Sequence, residues 1–209
     1  MPRARIDESG WQEMKVNGKP QIVSVHTAAT SKLFVIESVK LVFTNGNEAE
    51  YERVSSTLLR GAVIIVPMID PTSFLLINEY VVGLDRYELS LPKGLVQEGE
   101  TTLAAANREL MEETGYSAGR LEKIHTLSLA AGFLSYETDV ILAGDLSPHA
   151  LDGDEPEPLE KVACSFPELD DMVMSGRITD ARTIAALYVA RNRKSAASAD
   201  VFERGRELS

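Results

Sequence analysis

The chain has 209 residues, with 32 Asp and Glu against 21 Lys and Arg and a formal net charge of −11. A protein this acidic argues against a nucleic-acid backbone or an anionic membrane as partner, since both need clustered Lys and Arg. At 44% apolar and 25% charged residues it can bury a core and is not predominantly disordered, and at about 150 residues per domain its length predicts one domain with an extension, or two small ones. Cys164 is the lone cysteine, which rules out an intrachain disulfide and fits a reducing compartment. It stands in an apolar-alternating stretch, Val162 to Phe166, that reads as a strand rather than as the setting of a nucleophile. Residues 1–8 lack the apolar core of a signal peptide, and the densest apolar stretch, Ala62 to Ile69, falls far short of a membrane span. The expected location is the cytoplasm.

In chain order, residues 1–20 are polar and irregular, broken by Gly10, Gly18 and Pro20. Ile22 to Thr27 and Leu33 to Thr44 read as strands, and Asn45-Gly46 signals a short hairpin into a return strand from Glu48 to Val54. This block, 1–57, is a small β unit, too short to stand confidently as an independent domain. Gly61 to Pro67 is apolar on both faces, as a buried strand is, and Ser73 to Tyr80 follows an Asp70-Pro71 turn. Glu88 to Leu91 makes a short strand that ends at Pro92-Lys93-Gly94. Thr101 to Thr114 has neither Pro nor Gly, is rich in Ala, Leu and Glu, and stops at Gly115, which predicts a helix. Strands are expected at 121–129, 137–143 and 160–166, and helices at about 167–175 and 180–192. The division is then a β unit over 1–57, a main domain over 58–193 and a small, charged C-terminal tail over 194–209. The fold class is α+β, a mixed sheet flanked by helices.

The chemistry concentrates between residues 94 and 116. On a helix, Glu109, Glu112 and Glu113 stand at i, i+3 and i+4 and share one face, beside a stripe of Leu103, Ala106, Leu110 and Thr114 suited to burial. Like charges so spaced cost roughly 0.2–0.5 kcal/mol per pair on an exposed helix, and Arg108 is the only base within it. A hard divalent cation such as Mg²⁺, or Mn²⁺ in its place, relieves the repulsion through oxygen ligands. Gly94 allows a tight strand-to-loop turn that exposes the Lys93 carbonyl to the same ion. A bare Glu-x-x-Glu-Glu reads more simply as a solvated helix surface.

The full segment resembles the Nudix box, G-x5-E-x7-R-E-U-x-E-E-x-G-U with U aliphatic or aromatic. It matches at Gly94, Glu100, Arg108, Glu109, Leu110, Glu112, Glu113, Gly115 and Tyr116. That resemblance implies a Nudix α/β/α sandwich with a mixed sheet, preceded here by the β unit, and hydrolysis of a nucleoside diphosphate linked to another moiety. It implies that Glu109, Glu112 and Glu113 are metal ligands together with Lys93, and that Glu112 counts among the catalytic residues. Gly94, Gly115 and a Glu100–Arg108 ion pair are then structural. Divalent ions neutralise the diphosphate and lower the pKa of a bound water. Box glutamates tied to metal are poor bases, so a carboxylate from elsewhere must take the water's proton.

Beyond the box, the chain is similar to the ADP-ribose pyrophosphatase group and most like its bacterial ADP-compounds hydrolase (NudE-type) branch. The carriers are 34–39, Tyr51-Glu52-Arg53, Asn78-Glu79-Tyr80, Tyr87-Glu88-Leu89 and 151–159. The branch cleaves ADP-ribose, NADH and diadenosine polyphosphates, giving AMP or another nucleotide plus a phosphorylated remainder. In this group a loop glutamate acts as the base, and Glu157, with Glu155 second, occupies that loop. Pro156 and Pro158 stiffen it, and a plain solvated acidic loop is the competing reading. Arg53, Glu79, Tyr80, Glu88 and Phe133 are the candidate substrate contacts. Arg53 could equally end a hairpin, and core packing is the simpler role for Tyr80 and Phe133. The chain departs from many relatives at Asn78, where they carry Arg; at Ser90, where they carry Glu; and at Lys93, where Ala is common. The group builds its pocket by pairing first β blocks between subunits, which implies a homodimer, with Trp11 a candidate for pinning the N-terminus to the partner.

Two other functions compete. One is a Nudix pyrophosphatase for a different nucleotide sugar or a nucleoside triphosphate. The other is a Nudix module that senses a ligand without cleaving it, against which stand the intact box and the wrong charge for DNA. Much of the acidity is local: Glu98, Glu100, Glu109, Glu112 and Glu113 cluster in the box, and Asp152, Asp154, Glu155, Glu157 and Glu160 in the loop. Such a site calls for cations, and a small diphosphate can enter with its metals.

Overall fold

The computed structural model describes residues 18–56, 61–135, 137–153 and 156–204, with backbone alone at Ser56 and beyond Arg193. It divides into two compact units, Met1–Thr57 and Leu58–Ser209. In the first, β1 (Gln21–Thr30), β2 (Phe34–Val42) and β3 (Glu48–Ser56) form an antiparallel sheet in sequential order. The β2–β3 hairpin differs from the two-residue Asn45-Gly46 turn expected. Gly46 N–H bonds to Phe43 O at 2.9 Å and Phe43 N–H to Asn47 O at 2.9 Å, so Thr44 and Asn45 are the central turn residues. Gly46 follows them at φ 84°, the three-residue form in which glycine supplies the left-handed position. Trp11 lies outside the described residues.

Among its described residues the second unit contains two sheets. One is mixed, in the order β7-β4-β9-β8: β7 (Lys93–Leu95), β4 (Ala62–Pro67), β9 (Glu137–Pro148) and β8 (Tyr116–Ser128). β4 runs parallel to β9 and antiparallel to β7. The other is antiparallel, in the order β10-β5-β6: β10 (Glu160–Ser165), β5 (Ser73–Val81) and β6 (Arg86–Ser90). The helices are α1 (Thr102–Thr114), α2 (Leu169–Met174) and α3 (Ala181–Arg204). The fold class is α+β as expected, with a separate small N-terminal sheet.

β4 shows why the sandwich holds together. It is buried along its whole length, and its side chains alternate between two cores. Val63 and Ile65 pack with Ala105, Ala106 and Leu110 of α1. Ile64 and Val66 pack on the other side with Leu169 and Met172 of α2 and Leu187 and Ala190 of α3. An apolar run without alternation is what a strand covered on both faces requires. Cys164 lies in the second of these cores, where burial pushes its thiol up.

Several elements outrun the sequence reading. β8 begins at Tyr116 and β9 extends to Pro148, because the two pair along almost their full length, from Tyr116–Pro148 to Ser128–Glu137. The α3 helix continues to Arg204 rather than ending near 192, through an Ala- and Ser-rich stretch free of Pro and Gly. β7 had no counterpart in the reading: three residues centred on glycine carry no strand signal, and the ladder to Ala62–Ile64 makes them one. Among the described residues, no helix is long and apolar enough to cross a membrane.

Candidate active site

The α1 helix starts at Thr101, whose side chain accepts from Ala104 N–H at 3.2 Å, and stops at Gly115, which takes φ 72° and returns its N–H to Met111 O. Lys161 Nζ donates to Thr114 O at 3.2 Å, placing a cation at the negative end of the helix. Between these caps, Ala105, Ala106 and Leu110 face the core and the neighbouring face carries Glu109, Glu112 and Glu113. Arg108 organises that face. Its guanidinium makes a two-pronged pair with Glu100 (3.0 and 3.1 Å) and donates to Glu109 and Glu112 (2.8 Å each) and to Leu95 O (3.0 Å). The Arg108 hydrogen bonds hold the Glu100 carboxyl below its ordinary range.

β7 forms the facing wall. The expectation of a tight turn at Gly94 is not met: Gly94 pairs with Val63 in the ladder and is not among the glycines at positive φ. Its value is the missing side chain, since a methyl group there would overlap the Glu109 carboxyl. Beside it, Lys93 N–H donates to Glu113 Oε2 at 3.0 Å. Glu113 is 8% exposed. Burial pushes its carboxyl up to about 8, the Lys93 charge and N–H pull it back, and Glu109 and Glu79 push it further up. A carboxylate so placed is short of positive charge. The Lys93 ammonium pairs with Glu79 on β5 and donates to Ser90 Oγ at 3.2 Å.

The loop after β9 comes to the same helix: Leu151 N–H reaches Met111 O at 3.4 Å, and a Cβ on Gly153 would lie 3.3 Å from Glu112 Cβ. Further along, Glu157 accepts a hydrogen bond from Tyr87 OH on β6. Glu155 lies outside the described residues.

Residues 58–187 match the NUDIX domain, and residues 20–53 match the NudE-type Nudix hydrolase N-terminal domain. The chain is 43% identical over 173 residues to the ADP compounds hydrolase NudE of Escherichia coli (strain K12), covering 83% of this chain and 92% of that one. It is 30% identical over 154 residues to an ADP-ribose pyrophosphatase of Bacillus subtilis (strain 168), covering 73% and 80%. A crystal structure of an ADP compounds hydrolase superposes with a TM-score of 0.79 at 40% identity, covering 88% of this chain and 98% of that one. The chain belongs to the Nudix hydrolase family. It is therefore an enzyme of the pyrophosphohydrolase class, and Nudix hydrolases generally use divalent metal ions.

Among the described residues, no three acidic, His or Cys side chains stand grouped as a ready cation site. The reason is visible: Arg108 draws Glu109 and Glu112 to itself, and Glu113 turns to Lys93 N–H. The donor set nevertheless fits a hard divalent ion. It consists of carboxylates gathered on one helix face, one of them buried with too little countercharge, and the glycine opposite leaves room for the Glu109 carboxyl.

Other candidates stand differently in this Nudix hydrolase. Glu88 is pinned by Thr179 and Arg86, which hold its carboxyl below the ordinary range. Tyr80 and Phe133 are 45% and 55% exposed, so the core-packing role weighed for them does not hold. Tyr80 OH donates to Asp85, and its ring meets Tyr87 edge-on at 5.6 Å. Phe133 sits in the turn between β8 and β9; the adjacent Leu134, but not Phe133 itself, lines a cavity of about 580 Å³ whose lining also includes Thr102, Lys123, Ser135 and Asp139 but none of the box glutamates. Arg53 belongs to the first unit, on β3, paired with Glu37 at 2.8 Å. Sequence reasoning missed Thr183. Fully buried, it accepts from Leu91 N–H at 3.0 Å and donates to Asp180 at 2.8 Å, while Pro92 O accepts from Ile65 N–H at 2.8 Å. These bonds fasten the segment leading into β7 from behind. An Asp three residues before a Thr at a helix start was its signal.

Proposed function

We propose that this Nudix hydrolase cleaves the diphosphate linkage of ADP-ribose-like compounds, namely ADP-ribose, NADH and diadenosine polyphosphates, releasing AMP and a phosphorylated remainder. The preferred ion is Mg²⁺, with Mn²⁺ able to replace it, and the protein acts as a cytoplasmic homodimer built through residues 1–57. The observation that carries the reading is the wall formed by Glu109, Glu112 and Glu113 against Lys93 and Gly94. Relatives described as hydrolysing ADP compounds or ADP-ribose supply the substrate class.

Glu109, Glu112 and Glu113, with Lys93, would hold the ion. A divalent cation there supplies charge for the anionic diphosphate and acidifies the attacking water. Arg108 keeps two of these carboxylates on one side of the helix and ties them to the preceding loop through Glu100. Glu157, held by Tyr87, takes the proton of the attacking water, with Glu155 the alternative. Arg53, Glu79, Tyr80, Glu88 and Phe133 remain the candidates for substrate contact. The test is AMP release from ADP-ribose, NADH, GDP-mannose and dATP with Mg²⁺ and with a chelator. Turnover of the adenosine diphosphate compounds that chelation abolishes is expected; turnover confined to GDP-mannose or dATP would replace this substrate class, and binding without cleavage would make the chain a sensor. In the same assay Glu157→Gln should lower kcat by about 10²–10⁴-fold, and an unchanged kcat with loss at Glu155→Gln would move the base two residues.

A further inference from the structure

Lys93 enters the site twice. Its backbone N–H is bonded to Glu113, and its side chain, largely shielded from solvent, turns back to Glu79 and Ser90. The two contacts place one ammonium on the wall that carries Glu113, with the charges of Glu79 and Glu109 acting on the same carboxyl. Arg108 already engages Glu100, Glu109 and Glu112. The acidic groups of the wall are thus organised by two fixed cations, and Lys93 is the one beside Glu79 and Glu113. A lysine ammonium is a compact point charge on a flexible stem. Seated against a carboxylate and a hydroxyl, it has the kind of oxygen neighbours that a hard divalent ion takes.

We infer that the Lys93 ammonium occupies, against Glu79, a cation position of the diphosphate site and competes there with a divalent ion. The side chain then supplies as part of the chain one positive charge that a metal would otherwise bring, and Glu79 is a latent metal ligand. This role is separate from the backbone of Lys93, and it rests on the metal-dependent reading above.

The test is Mn²⁺ binding to the full chain followed by electron paramagnetic resonance, which does not depend on turnover. Lys93→Met keeps the length of the stem and removes the charge. It should tighten Mn²⁺ binding by roughly tenfold, since a like charge a few ångströms away no longer opposes the ion. Adding Glu79→Gln should remove the gain, and Lys93→Arg should bind as the wild type does. Thermal unfolding checks that each variant is folded, and Lys93→Gln gives the same uncharged comparison should Lys93→Met fail to fold. Unchanged or weaker binding in the uncharged variant overturns the inference. So does a gain that survives without Glu79 or that Lys93→Arg shares. A wild type that binds no Mn²⁺ would instead overturn the metal-dependent reading itself.

Discussion

Gly94 separates what a residue does for the fold from what it does for the chemistry. The three atoms nearest to a methyl group placed on it all belong to the far end of the flexible Glu109 side chain. Glu109 can swing aside at little cost to stability, yet it cannot then occupy its place on the wall. Gly94→Ala should therefore unfold at nearly the wild-type temperature while losing Mn²⁺ affinity and turnover together. Wild-type metal affinity in a folded Gly94→Ala protein would remove Glu109 from the ligand set. At this scale the sequence was informative wherever spacing along one helix decided the matter, as for Glu109, Glu112 and Glu113. It was silent on Lys93 with Glu79 and on Tyr87 with Glu157, because those pairs meet only once strands and loops distant in sequence are folded together.

Among the elements, the start of α3 supports the site without facing it. The Asp180 carboxylate accepts from Thr183 N–H and Oγ1 at 2.9 and 2.8 Å, and Thr183 in turn holds Leu91 N–H. Burial raises the Asp180 carboxyl, but the Arg182 charge and the Thr183 hydrogen bonds outweigh it and leave it below its ordinary value. A folded-state value below the unfolded one gives stability that is present at neutral pH and lost as pH falls through it. Asp180→Asn should thus be less stable than wild type in urea at neutral pH, with the difference shrinking below about pH 4. A deficit independent of pH would assign the effect to packing rather than to the charge. Elements with strong local punctuation were legible: Thr101 and Gly115 bound α1 within a residue of the reading. β7 and the far ends of β8 and β9 were not, since their extent is set by the partner strand rather than by their own residues.

The molecule as a whole is two units of unequal size. The smaller presents Ile22, Val23, Val25, Leu33 and Phe34 as exposed apolar side chains on or beside its sheet, which suits the dimer proposed through residues 1–57. Sedimentation at micromolar concentration should give twice the mass of the chain, and deletion of residues 1–57 should give a monomer. A monomeric full-length protein would reject that assembly. Charge at this scale reads differently from charge taken as a total. The net −11 tells of solubility and of partners excluded, whereas Arg108, Lys93 and their carboxylates show how the acidity is arranged for use.

The fastening of Leu91 to α3 and of Pro92 to β4 bears on how such a molecule can diversify. The wall is secured by groups buried in the core, while Gly153 lies against Glu112 and Glu157 takes a hydrogen bond from Tyr87 on β6. On the reading proposed above, a sequence change around Gly153 and Glu157 alters the grip on a substrate and leaves those buried fastenings in place. One architecture can in this way serve many leaving groups, with the cutting edge inherited intact and the grip exchanged.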